Sequence, residues 1–210
     1  MSAKILAVAQ QKGGAGKTTI AVQLGVWWAC QGRKVTLLDV DPQGSMNAWH
    51  GLRSEAGLGD SPQSAEVSGW KLSSEIDRLK RENDLIIVDT PPHAETDARV
   101  AVRAAELILV PVQPSPMDWW ATKPTLDMAA KEKTKSLLVF NRLPARGKLA
   151  DAIRAKIEEA GLKLASASLG NRSAFAVSMM EGKGVAETQP KGSAAAEIAA
   201  LAAEIEGLIG

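Results

Sequence analysis

The sequence predicts an α/β fold, a mostly parallel central sheet flanked by helices on both faces. Three observations predict it. Apolar runs such as KILAVAQ, LIIVD and LILVPV are continuous rather than alternating, the mark of strands buried on both faces. Segments with helical spacing separate them, so neighbouring strands pair in parallel through crossovers. A glycine-rich turn joins the first strand to the first helix, and ligands of such sheets sit at the carboxyl ends of the strands.

The elements follow in order. Residues 4–10 form the first strand, 17–31 a helix and 34–40 a second buried strand. Residues 51–69, rich in Gly and Ser, read as a loop. Residues 70–83 show helical spacing at Leu72, Ile76 and Leu79. Leu85–Asp89, Leu107–Val112 and residues 136–140 are the third, fourth and fifth strands. Residues 148–160 make an amphipathic helix ended by Gly161, residues 162–165 a weaker sixth strand, and residues 193–208 a closing helix.

A chain of 210 residues can bury one core well and falls short of two, so residues 1–210 are expected to form one domain. With 45% hydrophobic and 23% charged residues it reads as soluble and globular. Residues 1–10 read as a strand and not as a signal peptide. No run of about 18 apolar residues offers a membrane span. The single cysteine, Cys30, allows no internal disulfide, fits a reducing cytoplasm, and reads as a buried structural thiol beside Val26, Trp27 and Trp28. The net charge of +1 selects no partner, but residues 142–191 hold nine basic against five acidic residues. That excess is either solvated surface or a phosphate-contacting group.

The first strand runs into Gln11-Lys12-Gly13-Gly14-Ala15-Gly16-Lys17-Thr18-Thr19. Glycines let the backbone turn its N–H groups onto phosphate oxygens, and the positive end of the next helix faces the same point. Lys17 can reach the β- and γ-phosphates, Thr18 can ligate Mg²⁺, and Thr19 can add a phosphate contact. Gln11 stands where the strict phosphate-loop pattern has its first Gly. The strand before and helix after supply the context of a P-loop NTPase-like fold.

The run K-G-G-x-G-K-[ST]-T resembles the deviant Walker A signature of the ParA/MinD family of ATPases. The resemblance implies ATP as ligand, Mg²⁺ as cofactor, and Lys12 as the lysine that reaches the nucleotide of a partner copy in a homodimer. It also implies that Asp41, in Asp39-Val40-Asp41-Pro42-Gln43, orients the attacking water, with Asp39 supporting the Mg²⁺ water shell. Asp89, ending an apolar run, matches the Walker B position and would hold a magnesium-bound water. Pro114, in Pro111-Val112-Gln113-Pro114-Ser115-Pro116-Met117-Asp118, is similar to a family stretch beside the nucleotide and is expected to line the site. Asn141 can hydrogen-bond the adenine edge or cap its strand, and Arg142 can stack on the ring.

Family members bind DNA without sequence preference through basic surface residues. Carried to this chain, the candidates are Arg146, Lys148, Arg172 and Lys183, with Arg172 foremost because it opens a helix after Gly170. The resemblance implies slow ATP hydrolysis stimulated by a cargo-bound adaptor, and a cytoplasmic, nucleoid-associated protein. Its cargo would be a plasmid, a chromosome region, a chemoreceptor cluster or a protein compartment. No helix-turn-helix segment is expected before the phosphate loop, as in short family members.

Other branches fit less well. A synthetase or carboxylase would need further substrate-binding charges near the γ-phosphate. An iron–sulfur electron carrier needs cysteine pairs. A membrane-bound division regulator would carry Lys and Arg on its last helix, whereas this one shows Glu197, Glu204 and Glu206, so no membrane partner is expected. Of the adjacent Trp119 and Trp120, one must face outward, and that pair is a candidate partner surface. Trp27 and Trp28 read as packing residues.

Overall fold

In the computed structural model, which describes residues 3–67, 69–92 and 95–210, one parallel sheet of seven strands carries helices on both faces. The strands are β1 (Lys4–Val8), β2 (Val35–Asp39), β3 (Gln63–Glu66), β4 (Leu85–Asp89), β5 (Leu107–Val112), β6 (Lys135–Leu143) and β7 (Leu164–Gly170). Their order across the sheet is β3-β2-β4-β1-β5-β6-β7, and every pair is parallel. The central strands β1, β2, β4 and β5 hold no exposed residue, which explains their unbroken apolar sequences.

Alternate residues of each strand enter different cores. Leu6, Val8, Leu37 and Ile87 pack beneath α1 (Lys17–Cys30), α2 (Ser45–Glu55), α7 (Ser173–Met180), α8 (Val185–Thr188) and α9 (Ser193–Ile209). On the other face Ile5, Leu38 and Val88 meet α3 (Leu72–Leu79) and α4 (Glu95–Ala104). Val110, Val112 and Phe140 meet α5 (Pro116–Glu132) and α6 (Leu149–Glu159). In α9, Ile198, Leu201 and Ile205 are buried against the sheet, while Leu208 is partly covered.

Several expectations are corrected. Residues 51–69 are not one loop: α2 runs to Glu55, and Gln63–Glu66 is a strand. This strand is missed by an apolar pattern because it is the polar edge of the sheet, paired with a neighbouring strand on one side only. The helix expected over 70–83 is shorter, with a 3₁₀ turn over Gly69–Lys71 before it. The last two strands are longer than read, since β6 continues through Asn141 to Leu143 and β7 reaches Gly170. Cys30 is exposed, because it is the last residue of α1 and its side chain falls outside the buried stripe that holds Trp28. Trp28 is core and Trp27 partly so. Trp119 is half-buried and Trp120 is 64% exposed. No helix among the described residues is long and apolar enough to cross a membrane.

Candidate functional site

The turn between β1 and α1 is built by its neighbours. Gly14 and Gly16 have φ of 76° and 91°, values that L side chains resist. The loop's carbonyls and flanks are tied down from behind. Asn141 Nδ2 donates to Ala15 O at 2.8 Å, Gln113 Nε2 to Gly14 O at 3.3 Å, and the Gln11 N–H to Thr125 Oγ1 at 3.3 Å. Thr90 Oγ1 donates to Val8 O at 3.0 Å, which holds the end of β1 to β4. From Gly13 to Thr19, by contrast, no backbone N–H is taken up by an acceptor among the described residues. A turn whose carbonyls are occupied and whose amides are free is an anion cradle.

Charge is placed around that cradle. Lys17 opens α1, is only 7% exposed, and its ammonium is held below the usual lysine range by burial, opposed by the carboxylates of Asp89 and Asp41. Thr18 Oγ1 donates to Asp89 Oδ2 at 2.5 Å, whereas Asp89 Oδ1 is buried without a partner. Burial pushes the Asp89 carboxyl up to about 7, against the pull of Thr18 and Lys17. A buried carboxylate oxygen without a partner beside a threonine hydroxyl suits a hydrated magnesium ion, as does the oxygen-only donor set.

The two acids after β2 do different things. Asp39 is buried and caps the start of α2, accepting from the N–H of Asp41 at 3.0 Å and of Asn47 at 3.3 Å. Burial raises its carboxyl above the ordinary range despite those bonds. Asp41 lies past the strand, half-buried, with Oδ1 accepting from the Gln43 N–H at 3.0 Å. The two acids therefore stand on different backbone, Asp39 as the last residue of β2 and Asp41 in the turn beyond it.

Lys12 points across the mouth of the site. Its Nζ lies 2.7 Å from Asp118 Oδ2, and its side chain stays 37% exposed while that of Asp118 is 6% exposed. Ser115 caps α5 by accepting from the Asp118 N–H and hydrogen-bonds the same carboxylate. Pro114 sits half-buried in this turn, between Gln113, which holds Gly14, and Ser115.

A cleft of about 610 Å³ opens on the α1 side of the loop, lined by Gly16, Thr19, Gln23, Arg142 and Phe175 among others. Its size suits a nucleoside, and Phe175 offers an apolar wall. Asn141 also lines it, but both ends of its amide serve backbone: Nδ2 holds Ala15 O, and Oδ1 accepts from the Arg142 N–H at 2.9 Å. Arg142 is exposed, with a φ of 52°.

Two of the four basic candidates are ion-paired and two are not. Arg172 lines the cleft and is paired with Glu197 at 2.6 Å, and Lys183 is paired with Glu181 at 3.2 Å. Arg146 and Lys148 stand exposed in the turn after β6, with no ion pair among the described residues. Sequence reading missed Gln23 and Phe175. Gln23 had a signal, a lone amide inside the apolar run of α1, where it now donates to Ser178 Oγ at 2.9 Å and accepts from the Val185 N–H at 2.7 Å.

A family described as CobQ/CobB/MinD/ParA nucleotide binding domain matches residues 6–188. The maintenance of carboxysome distribution protein A of Halothiobacillus neapolitanus is 31% identical over 203 residues, 91% of this chain and 91% of its own. Protein ParA of Rhizobium radiobacter is 31% identical over 183 residues, 81% of this chain and 80% of its own. The solved ATP complex of a Cyanothece McdA variant shares the fold, with a TM-score of 0.79 at 18% identity over 99% of this chain and 97% of the other.

Proposed function

This chain belongs to the CobQ/CobB/MinD/ParA nucleotide-binding family, and on that premise we propose that it is an ATP-dependent switch that positions a large cargo. One observation carries the reading: a run of uncommitted backbone amides, Gly13 to Thr19, curves around a buried lysine beside the Thr18–Asp89 pair. That combination binds a polyphosphate with its cation.

The residues divide the work. The amides of Gly13, Gly14, Ala15 and Gly16, with Lys17 and Thr19, hold the β- and γ-phosphates. Thr18 and Asp89 take the magnesium side, with Asp39 behind them holding the start of α2 in place. Mg²⁺, when bound, neutralises charge between the phosphates. Asp41, free of the strand and near Lys17, orients the attacking water. Lys12 exchanges Asp118 for the nucleotide of a second copy, so that dimerisation reports the nucleotide state. The adenine-side cleft is closed by Phe175 and Arg142, with Pro114 and Asn141 shaping the loop from behind. The ATP dimer holds DNA through its surface cations, Arg146 and Lys148 among them, and a cargo-bound adaptor triggers slow hydrolysis and release. The relatives named for carboxysome distribution and for ParA support this class of work.

The test is sedimentation and gel shift on random duplex DNA with ATP, with ADP and without nucleotide. Wild type is expected to dimerise and to retain DNA with ATP, and Asp41→Ala to do both while hydrolysing poorly. A chain that stays monomeric with ATP, or an Asp41→Ala variant with normal turnover, would remove the switch or the role of Asp41 respectively.

A further inference from the structure

Cations without an acidic partner gather at the end of the sheet opposite the phosphate loop. All strands are parallel, so their carboxyl ends share the phosphate side and their amino ends share the other. Lys34 precedes β2, Arg103 lies in the last turn of α4 before β5, Lys131 and Lys133 close α5, Lys135 opens β6, and Lys163 precedes β7. All six are exposed, and none makes an ion pair among the described residues. Thr134 Oγ1 donates to Val102 O at 2.9 Å, and Lys135 stands opposite Leu107 in the β5–β6 register. These contacts bring Arg103, Lys133 and Lys135 to one spot.

Three nearby acids are held by other groups, although Asp84 itself stays exposed. Asp84 accepts from the Lys34 N–H at 2.8 Å, Glu106 from the Ile5 N–H at 2.5 Å, and Glu132 faces Arg99 at 3.7 Å. Exposed Glu158 and Glu159, at the end of α6, flank Lys163, and exposed Asp60 and Glu82 line one depression with Lys34, so the uncompensated charge lies at the Arg103, Lys133 and Lys135 end of the row.

We propose that this amino-terminal edge of the sheet, centred on Arg103, Lys131, Lys133 and Lys135, is a contact for the phosphate backbone of duplex DNA. The inference rests on the reading that the protein holds DNA, and it names the surface. From β2 to β7 the row spans five strand spacings, roughly 24 Å, which matches about seven base pairs of duplex. A lipid surface would want apolar side chains among the cations. The large exposed apolar side chains belong elsewhere, to α2, the turn before α3, the first turns of α5 and α6, and α7.

The location has a geometric consequence. A dimer joined through its phosphate faces carries the two basic edges on opposite outer ends. Each protomer holds its own duplex segment, and the dimer bridges two. ATP then strengthens retention by pairing the contacts and does not complete a single surface.

The test uses the full chain with Lys131→Gln, Lys133→Asn and Lys135→Gln combined, read by fluorescence anisotropy on random duplex DNA across a salt series. The variant is expected to bind at least about tenfold more weakly and to lose about three from the slope of log affinity against log salt. Its ATP-driven dimerisation and ATPase rate are expected to match wild type, and Arg at the same three positions to restore binding. Wild type with ATP is expected to capture two differently labelled duplexes together. Wild-type affinity in the triple variant, or loss only in Arg146→Gln with Lys148→Gln, overturns the edge and leaves the switch reading intact. A wild type that binds no duplex with any nucleotide overturns both, and a preference for anionic vesicles over duplex overturns the edge as a DNA surface.

Discussion

Gly16 and Asn141 are mutually dependent, and a double-mutant cycle measures the dependence. A Cβ on Gly16 would stand 2.3 Å from Asn141 Nδ2, on a backbone with φ of 91°. Gly16→Ala thus carries a left-handed penalty of about 1–2 kcal/mol for an L residue. It also drives Asn141 off Ala15 O, leaving a buried bond unmade at about 1–3 kcal/mol. Asn141→Ala alone loses the same bond, the bond that Oδ1 accepts from the Arg142 N–H, and the small volume of its amide. In the double variant the bond is lost once and the clash disappears. The double variant should therefore be more stable than the sum of the singles predicts, by about 1–3 kcal/mol, in urea unfolding of the nucleotide-free protein. Additivity within about 0.5 kcal/mol would show that the two residues do not meet as described.

Other expectations follow from the same geometry. Lys17→Ala should abolish ATP binding measured by calorimetry, and retained micromolar affinity would refute the phosphate-loop assignment. The folded Asp89 carboxyl, raised to about 7 by burial, costs stability that grows as pH rises from its unfolded value near 4 and is complete above 7. Asp89→Asn should accordingly be more stable than wild type at pH 8, by up to about 4 kcal/mol, with the gain fading toward pH 4. The same variant should lose magnesium-dependent nucleotide binding, so a pH-independent stability difference would point away from Asp89 as the strained group. Arg53→Ala should cost about 3–5 kcal/mol by urea unfolding, since it strips a buried guanidinium from Glu187 at 2.8 Å, Gly182 O at 3.1 Å and Ser61 O at 2.6 Å. A loss below about 1 kcal/mol would show that this clamp contributes little.

What sequence reading found and missed has a physical pattern. The phosphate loop was legible because its chemistry is local: Gly14 and Gly16 are needed where the backbone turns left-handed, and Lys17 and Thr18 follow at once. Asp89 was legible because a buried strand announces itself by apolar continuity and its polar terminus stands out. The role of Asn141 was not, because its partner lies 126 residues earlier. Arg172 looked like free charge in sequence, but it meets Glu197, 25 residues away, only when α9 folds back over β7. Conversely, the cations at the opposite end of the sheet are scattered from Lys34 to Lys163, and only parallel register collects them. The polar strand β3 was missed for the same reason, since its partner β2 and not its own composition makes it a strand.

The candidate site and the outer helices are held by a series of buried and half-buried polar groups. Gln23, on the wall of the cleft, fixes Ser178 of α7 and the first N–H of α8. Glu187 of α8 accepts from the Gly184 N–H at 3.0 Å and pairs with Arg53 near the end of α2. The other end of α2 is capped by Asp39, which sits beside the catalytic candidate Asp41. The Gln23 bonds are buried and the rest part-buried, and together they tie α2, α7 and α8 into a common arrangement.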